Sequence, residues 1–197
     1  LNPALDSTAL ANAFSEDGRV RIDNLLLTES AAEVLSLCTS QLEFDYLFFA
    51  NGKNQVFSTA QIAALDPKAR AKMQQALFDQ AAEGVGFFYC GRRMRDESTS
   101  EQLGANTEPP LLKALFKLFN SDEFLSLISK ITGDTSLKDA DGQYTRYSQG
   151  QFLTRHSDAI QAERRRFAYV LGLSPRWHPD WGGLLQFYEK DGTPRDA

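Results

Sequence analysis

His156 and Asp158 stand two residues apart in RYSQGQFLTRHSDA, residues 146–159. On an extended backbone, residues two apart project to the same side, so this imidazole and this carboxylate can reach one point. They are two of the three protein ligands of a 2-His-1-carboxylate facial site, which holds Fe(II) and leaves a face of the octahedron open. The triplet alone is weak evidence, since such a pair is usually structural or solvated, so its surroundings decide. A zinc hydrolase on the same pair is disfavoured, because no further His or Cys is placed to complete it.

The elements that must position this pair change character along the chain. Helical periodicity dominates residues 1–136. A helix is expected over 4–14, and another over 30–41 with Ser30 and Glu33 as a capping box. Asp66-Pro67 opens a helix reaching about residue 82. Two more follow, one presenting Leu112, Leu115, Phe116 and Phe119. The next runs from the Ser121 cap to Gly133 and presents Phe124, Leu127, Ile128 and Ile131. Strand-like alternation interrupts at 19–26, and 84–94 reads as a strand. Residues 42–57 form a hairpin turning on Asn51-Gly52, the pair a type I′ turn demands. The polar stretch 95–110 reads as a loop. From 137 onward strands are expected at 143–149, 151–155, 165–173 and 184–188, separated by turn residues.

Length and composition suit one sizeable domain. The 197 residues are 42% hydrophobic and 24% charged, with 14 Phe, 6 Tyr and 2 Trp, an aromatic content that suits sheet packing. The net charge of −5 disfavours direct nucleic-acid binding, although Arg164-Arg165-Arg166 is locally basic. Cys38 and Cys90 fit no zinc spacing and read as buried free thiols, as in a reducing cytoplasm. No apolar run is long enough for a membrane span, and the start lacks the pattern of a signal peptide.

The segments YSQGQFLTRHSD, RRRFAYVLGLSPRW and DWGGLLQFYE together resemble the prolyl-hydroxylase branch of the Fe(II)/2-oxoglutarate dioxygenases. The nearest resemblance is to ribosomal-protein prolyl hydroxylases and their bacterial relatives, over about residues 144–189. The resemblance implies an α+β fold, a double-stranded β-helix (jelly roll) supported by N-terminal helices. It implies one domain over 1–197, helix-rich over 1–136, with its jelly-roll core at 137–197. His156 and Asp158 match iron ligands, and His156 should then donate its second ring N–H to a neighbour. Tyr147 matches a tyrosine that hydrogen-bonds 2-oxoglutarate, and Leu153 lines the same pocket. Both residues would serve equally well as core packing. Arg165 and Arg166 match a basic strand start near the pocket mouth, with a solvated charge run as the alternative. Trp177, Trp181, Gly182 and Gly183 read as architecture.

The implied reaction is hydroxylation of a prolyl residue in a protein, in the cytoplasm, using Fe(II), 2-oxoglutarate and O2, with ascorbate a candidate addition. The Asn51-Gly52 hairpin and segment 95–108 are candidate lids. Two alternatives stand beside this: hydroxylation of a free amino acid or small metabolite, and a non-catalytic jelly-roll binding module. The pattern also breaks. The family's second iron-binding His and its cosubstrate Arg have no match. His178 reads as a loop residue, and Arg195 lacks a preceding His. The jelly roll is therefore expected to lack its last strands in this chain. Gly172 stands where relatives carry a Tyr or Asn facing the cosubstrate.

Overall fold

The computed structural model describes residues 1–94, 108–158 and 165–196. It is an α+β protein of two compact units. The first comprises Leu1–Asp45, Gly91–Thr145 and Ser157–Leu171. The second comprises Tyr46–Cys90, Arg146–His156 and Gly172–Ala197.

The first unit is mainly helical. Helix α1 (Ser7–Asp17) starts where the Asp6 carboxylate accepts from the Thr8 and Ala9 N–H groups, both at 3.0 Å. Helix α2 (Thr28–Ser40) buries Val34 and Cys38. Its N-cap is Leu27, without a side-chain cap, so the capping box expected from Ser30 and Glu33 does not form. The helix starts earlier, and Ser30 already lies in its first turn. Residues 19–26, expected as a strand, pair with no strand among the described residues. Arg19 and Arg21 bond locally to Asp17 (2.7 Å) and Asp23 (2.8 Å), and Asn24 turns the chain with φ 54°.

Helices α5 (Pro110–Phe119) and α6 (Asp122–Thr132) supply a large part of this unit's core, with Leu112, Leu115, Phe119, Phe124 and Ile131 all buried. Helix α6 begins on Ser121 and ends on Gly133 in the left-handed region, as its sequence predicts. It packs on α1 and α5, and α5 packs on α2. The amide of Asn120 brackets the Ala140 main chain, donating to its carbonyl and accepting from its N–H, both at 2.9 Å. Glu108 is buried, and neither carboxylate oxygen finds a hydrogen-bond partner among the described residues. Burial, then Glu108, pushes the Cys38 thiol up to about 11. The same two causes raise the Tyr144 phenol.

The described part of 165–171 is held on this unit by alternating contacts. Arg165 pairs with Asp141 at 2.9 Å and Arg166 with Asp134 at 2.7 Å. The Phe167 ring meets Phe14 edge-on, and Tyr169 meets Phe119 and Phe124. The Tyr169 hydroxyl donates to the Asp141 carbonyl at 2.8 Å. A Cβ on Gly142 would come within 2.6 Å of Met94 Sδ and 3.2 Å of that hydroxyl, so a side chain there would have to displace Met94. The strand expected at 165–173 does not form among the described residues. Its period-two pattern docks side chains on helices instead of a sheet. Arg165 and Arg166 are exposed here and each holds an ion pair.

Asp134 makes an acid-sensitive fastening. Ser136 donates to it from both side chain (2.6 Å) and main chain (2.8 Å), and these bonds with Arg166 hold its carboxyl down at about 2. The folded value lies below that of an unfolded chain, about 4. Its stabilisation is therefore complete above about pH 4 and is lost as pH falls towards 2. Asp134→Asn should flatten the acid limb of a urea-midpoint-versus-pH curve; an unchanged acid limb would refute this.

The second unit is built on an antiparallel sheet. Strands β1 (Asp45–Ala50, from Tyr46 in this unit) and β2 (Lys53–Phe57) pair from Tyr46↔Phe57 to Ala50↔Lys53. They turn on Asn51 (φ 54°) and Gly52 (φ 72°), as expected of a type I′ hairpin. Helix α3 (Thr59–Ala63) was not anticipated; its capping box is Ser58 with Gln61. Helix α4 (Pro67–Ala82) begins on Asp66 and Pro67 as its sequence predicts. Strand β3 (Phe87–Arg93) lies beside β1, and its Gly91–Arg93 end, in the first unit, neighbours β4 (Gln143–Arg146). Strand β5 (Phe152–Leu153) pairs with β3 through Phe87↔Leu153 and Phe88↔Phe152.

Alternation gives this sheet two aromatic faces. Phe48 and Phe88 bury against Leu77 of α4, with Tyr46, Phe57, Met73 and Phe152 around them. Phe49, Phe87 and Tyr89 lie on the opposite face. The last strands are short: β6 (Phe187–Tyr188) pairs antiparallel with β7 (Pro194–Asp196). No barrel closes among the described residues. Of the candidate lids, the Asn51-Gly52 hairpin is formed, while residues 95–107 of the other lie outside the described residues. No described helix is long and apolar enough to cross a membrane.

Candidate active site

His156 follows β5 by three residues and is exposed. Its position begins with Thr154. The Thr154 N–H donates to the Gly86 carbonyl at 3.0 Å, and its hydroxyl donates to the same carbonyl at 2.9 Å. That hydroxyl also accepts from the Gly86 N–H at 3.0 Å. The Thr154 carbonyl in turn lies 3.0 Å from His156 Nδ1. A carbonyl can only accept, so the shared proton sits on Nδ1. This is the second-ring contact expected of a metal-binding histidine. Asp158 is exposed and belongs to the first unit, whereas His156, Tyr147 and Leu153 belong to the second. Among the described residues, no three His, Cys, Asp or Glu side chains gather into a metal-binding group.

Tyr147 follows directly on β4 and is half-exposed. Its ring stacks on Tyr89 with centroids 5.3 Å apart and planes at 30°. Partial burial, then the neighbouring Tyr89, pushes its hydroxyl up to about 12, so the phenol keeps its proton and can donate to an anion at neutral pH. Leu153, opposite Phe87, is also half-exposed and lies on the face that carries Tyr89. The structure thus brings Tyr147 and Leu153 to one face of one sheet.

The remaining sequence candidates are structural. His178 Nδ1 accepts from the Asp180 N–H at 3.3 Å and caps the 3-10 turn Pro179–Trp181. The Trp177 and Trp181 rings meet edge to face at 5.8 Å. Gly183 has φ 65°, and a Cβ there would press on the Trp177 ring at 3.1 Å. Arg195 lies 3.5 Å from Glu189 on the β6–β7 ribbon. Thr154, Gly86, Tyr89 and Gln151 were not singled out from sequence. Only Thr154 carried a signal, its place two residues before the histidine.

Residues 142–197 match the family model of the 2OG-Fe(II) oxygenase superfamily. The mouse (Mus musculus) protein prolyl 3-hydroxylase OGFOD1 is 35% identical over 86 residues, 44% of this chain and 15% of that protein. The chain thus spans a small part of the length of the curated relative it matches. No solved structure matches it.

Proposed function

We propose, from the premise that residues 142–197 are a 2OG-Fe(II) oxygenase segment in a prolyl-hydroxylase-like chain, that this protein hydroxylates a prolyl residue of a protein. The proposed domain runs over 1–197, helix-rich over 1–136 with a double-stranded β-helix core at 137–197, working in the cytoplasm. Fe(II) with 2-oxoglutarate and O2, and ascorbate as a candidate addition, would supply oxidation of a C–H bond with release of succinate and CO2.

The observation that carries this reading is the bond from His156 Nδ1 to the Thr154 carbonyl, which orients Nε2 as a metal ligand. Imidazole and carboxylate are the donor types that hold Fe(II), so His156 and Asp158 fit the ion as two of its ligands. Tyr147 would donate a hydrogen bond to a carboxylate of 2-oxoglutarate. Leu153 lines that pocket and keeps water from it. Arg165 and Arg166 hold their own stretch of chain to Asp141 and Asp134 of the same unit.

The test uses the intact protein with Fe(II), 2-oxoglutarate and peptides from candidate partner proteins. A mass gain of one oxygen atom on a proline-containing peptide, absent from its Pro→Ala counterpart, is the expected result. Succinate formed with free amino acids but with no peptide would replace the protein substrate by a small one.

A further inference from the structure

Two contacts made in the second unit converge on Tyr147, and the reaction as read above uses neither. The first is the stack on Tyr89. Tyr89 is itself backed by Phe87 at 5.5 Å between centroids, and Phe87 by Phe49 at 6.4 Å. This row stands behind one face of the Tyr147 ring. The second contact is made by Gln151, four residues on. Its main-chain N–H donates to the Ser148 carbonyl at 2.9 Å, and its Oε1 accepts from the Ser148 N–H at 2.8 Å. Its Nε2 donates to Cys90 Sγ at 3.2 Å. One amide thus ties the residue after Tyr147 to the residue after Tyr89. The turn between them depends on Gly150, at φ 79°, where a Cβ would strike Gln74.

We propose that Tyr89 and Gln151 are positioning residues that set the direction of the Tyr147 hydroxyl for a dicarboxylate cosubstrate. A ring stack restricts the plane of a phenol but leaves its main chain free to slide. A main-chain staple fixes the Cα but leaves the ring free to rotate about χ1 and χ2. Together the two contacts leave the hydroxyl one direction, and neither does so alone. The proposal rests on the reading of Tyr147 as a 2-oxoglutarate ligand.

The test is binding of 2-oxoglutarate to the intact protein by calorimetry, with Mn(II) in place of Fe(II) so that no turnover occurs. Tyr89→Leu and Gln151→Leu should each raise the dissociation constant roughly tenfold, the scale of weakening one hydrogen bond to a charged group. The Mn(II) affinity and the thermal midpoint should stay near wild type. Tyr89→Phe keeps the ring and should restore the wild-type constant. In a Tyr147→Phe background both Leu substitutions should have no further effect, because their action passes through the missing hydroxyl. Full additivity in that background, or unchanged constants in the single variants, overturns the proposal while leaving Tyr147 as a ligand. If Tyr147→Phe itself leaves the constant unchanged, the reading of Tyr147 fails, and the positioning roles fail with it.

Discussion

His156→Ala should reduce Fe(II)-dependent formation of succinate from 2-oxoglutarate at least 100-fold and weaken metal binding by a similar factor. The scale is set by lesser changes: losing only a partner of a metal-bound histidine already costs roughly 10- to 100-fold in affinity. Removing the ring takes away the donor atom itself. The side chain is exposed. The fold should therefore survive, with circular dichroism and thermal midpoint close to wild type. His156→Gln, which keeps a polar side chain without the ring, should be nearly as impaired. Turnover equal to wild type in a folded His156→Ala protein would remove this residue from the chemistry.

Phe48→Ala should cost about 3–5 kcal/mol of stability, the usual penalty for emptying a buried phenylalanine site. Phe48 is only 4% exposed. Its ring meets Phe57 edge-on at 5.0 Å and Phe88 at 6.4 Å, beside Leu77 of α4. Three elements close on one side chain, so collapse around the vacancy is limited. Domains of this size have about 5–15 kcal/mol in total, so the variant should unfold at a much lower urea concentration. Phe49→Ala, next in sequence but on the other face of the sheet, should cost distinctly less. Equal losses at the two positions would refute the assignment of faces.

Local chemistry made several elements legible in the sequence. Asp66-Pro67 set the start of α4, and Asn51-Gly52 set the hairpin, because a cap and a positive-φ pair act within a few residues. Other signals were outweighed by tertiary context. Residues 19–26 alternate, but a strand needs a neighbour to take its hydrogen bonds, and here local ion pairs and the Asn24 turn took over. Residues 165–169 also alternate, and the alternation is used, yet what they meet is a helical surface. Within the candidate site, His156 and Asp158 were legible from type and spacing. The hold of Thr154 on Gly86, and of Gln151 on Cys90, joins positions more than sixty residues apart. No local pattern announces such a pair.

The threonine's grip on one glycine has a dynamic consequence. Both hydrogen-bonding groups of Gly86 are spent on Thr154, whose own carbonyl steers the imidazole. Any fraying that loosens the start of β3 from Thr154 therefore also unlocks the ring and scrambles its tautomer. If His156 binds the metal ion as proposed, its readiness to do so is tied to the breathing of a sheet edge, so a mutation well away from the histidine should blunt it without touching His156 or Asp158.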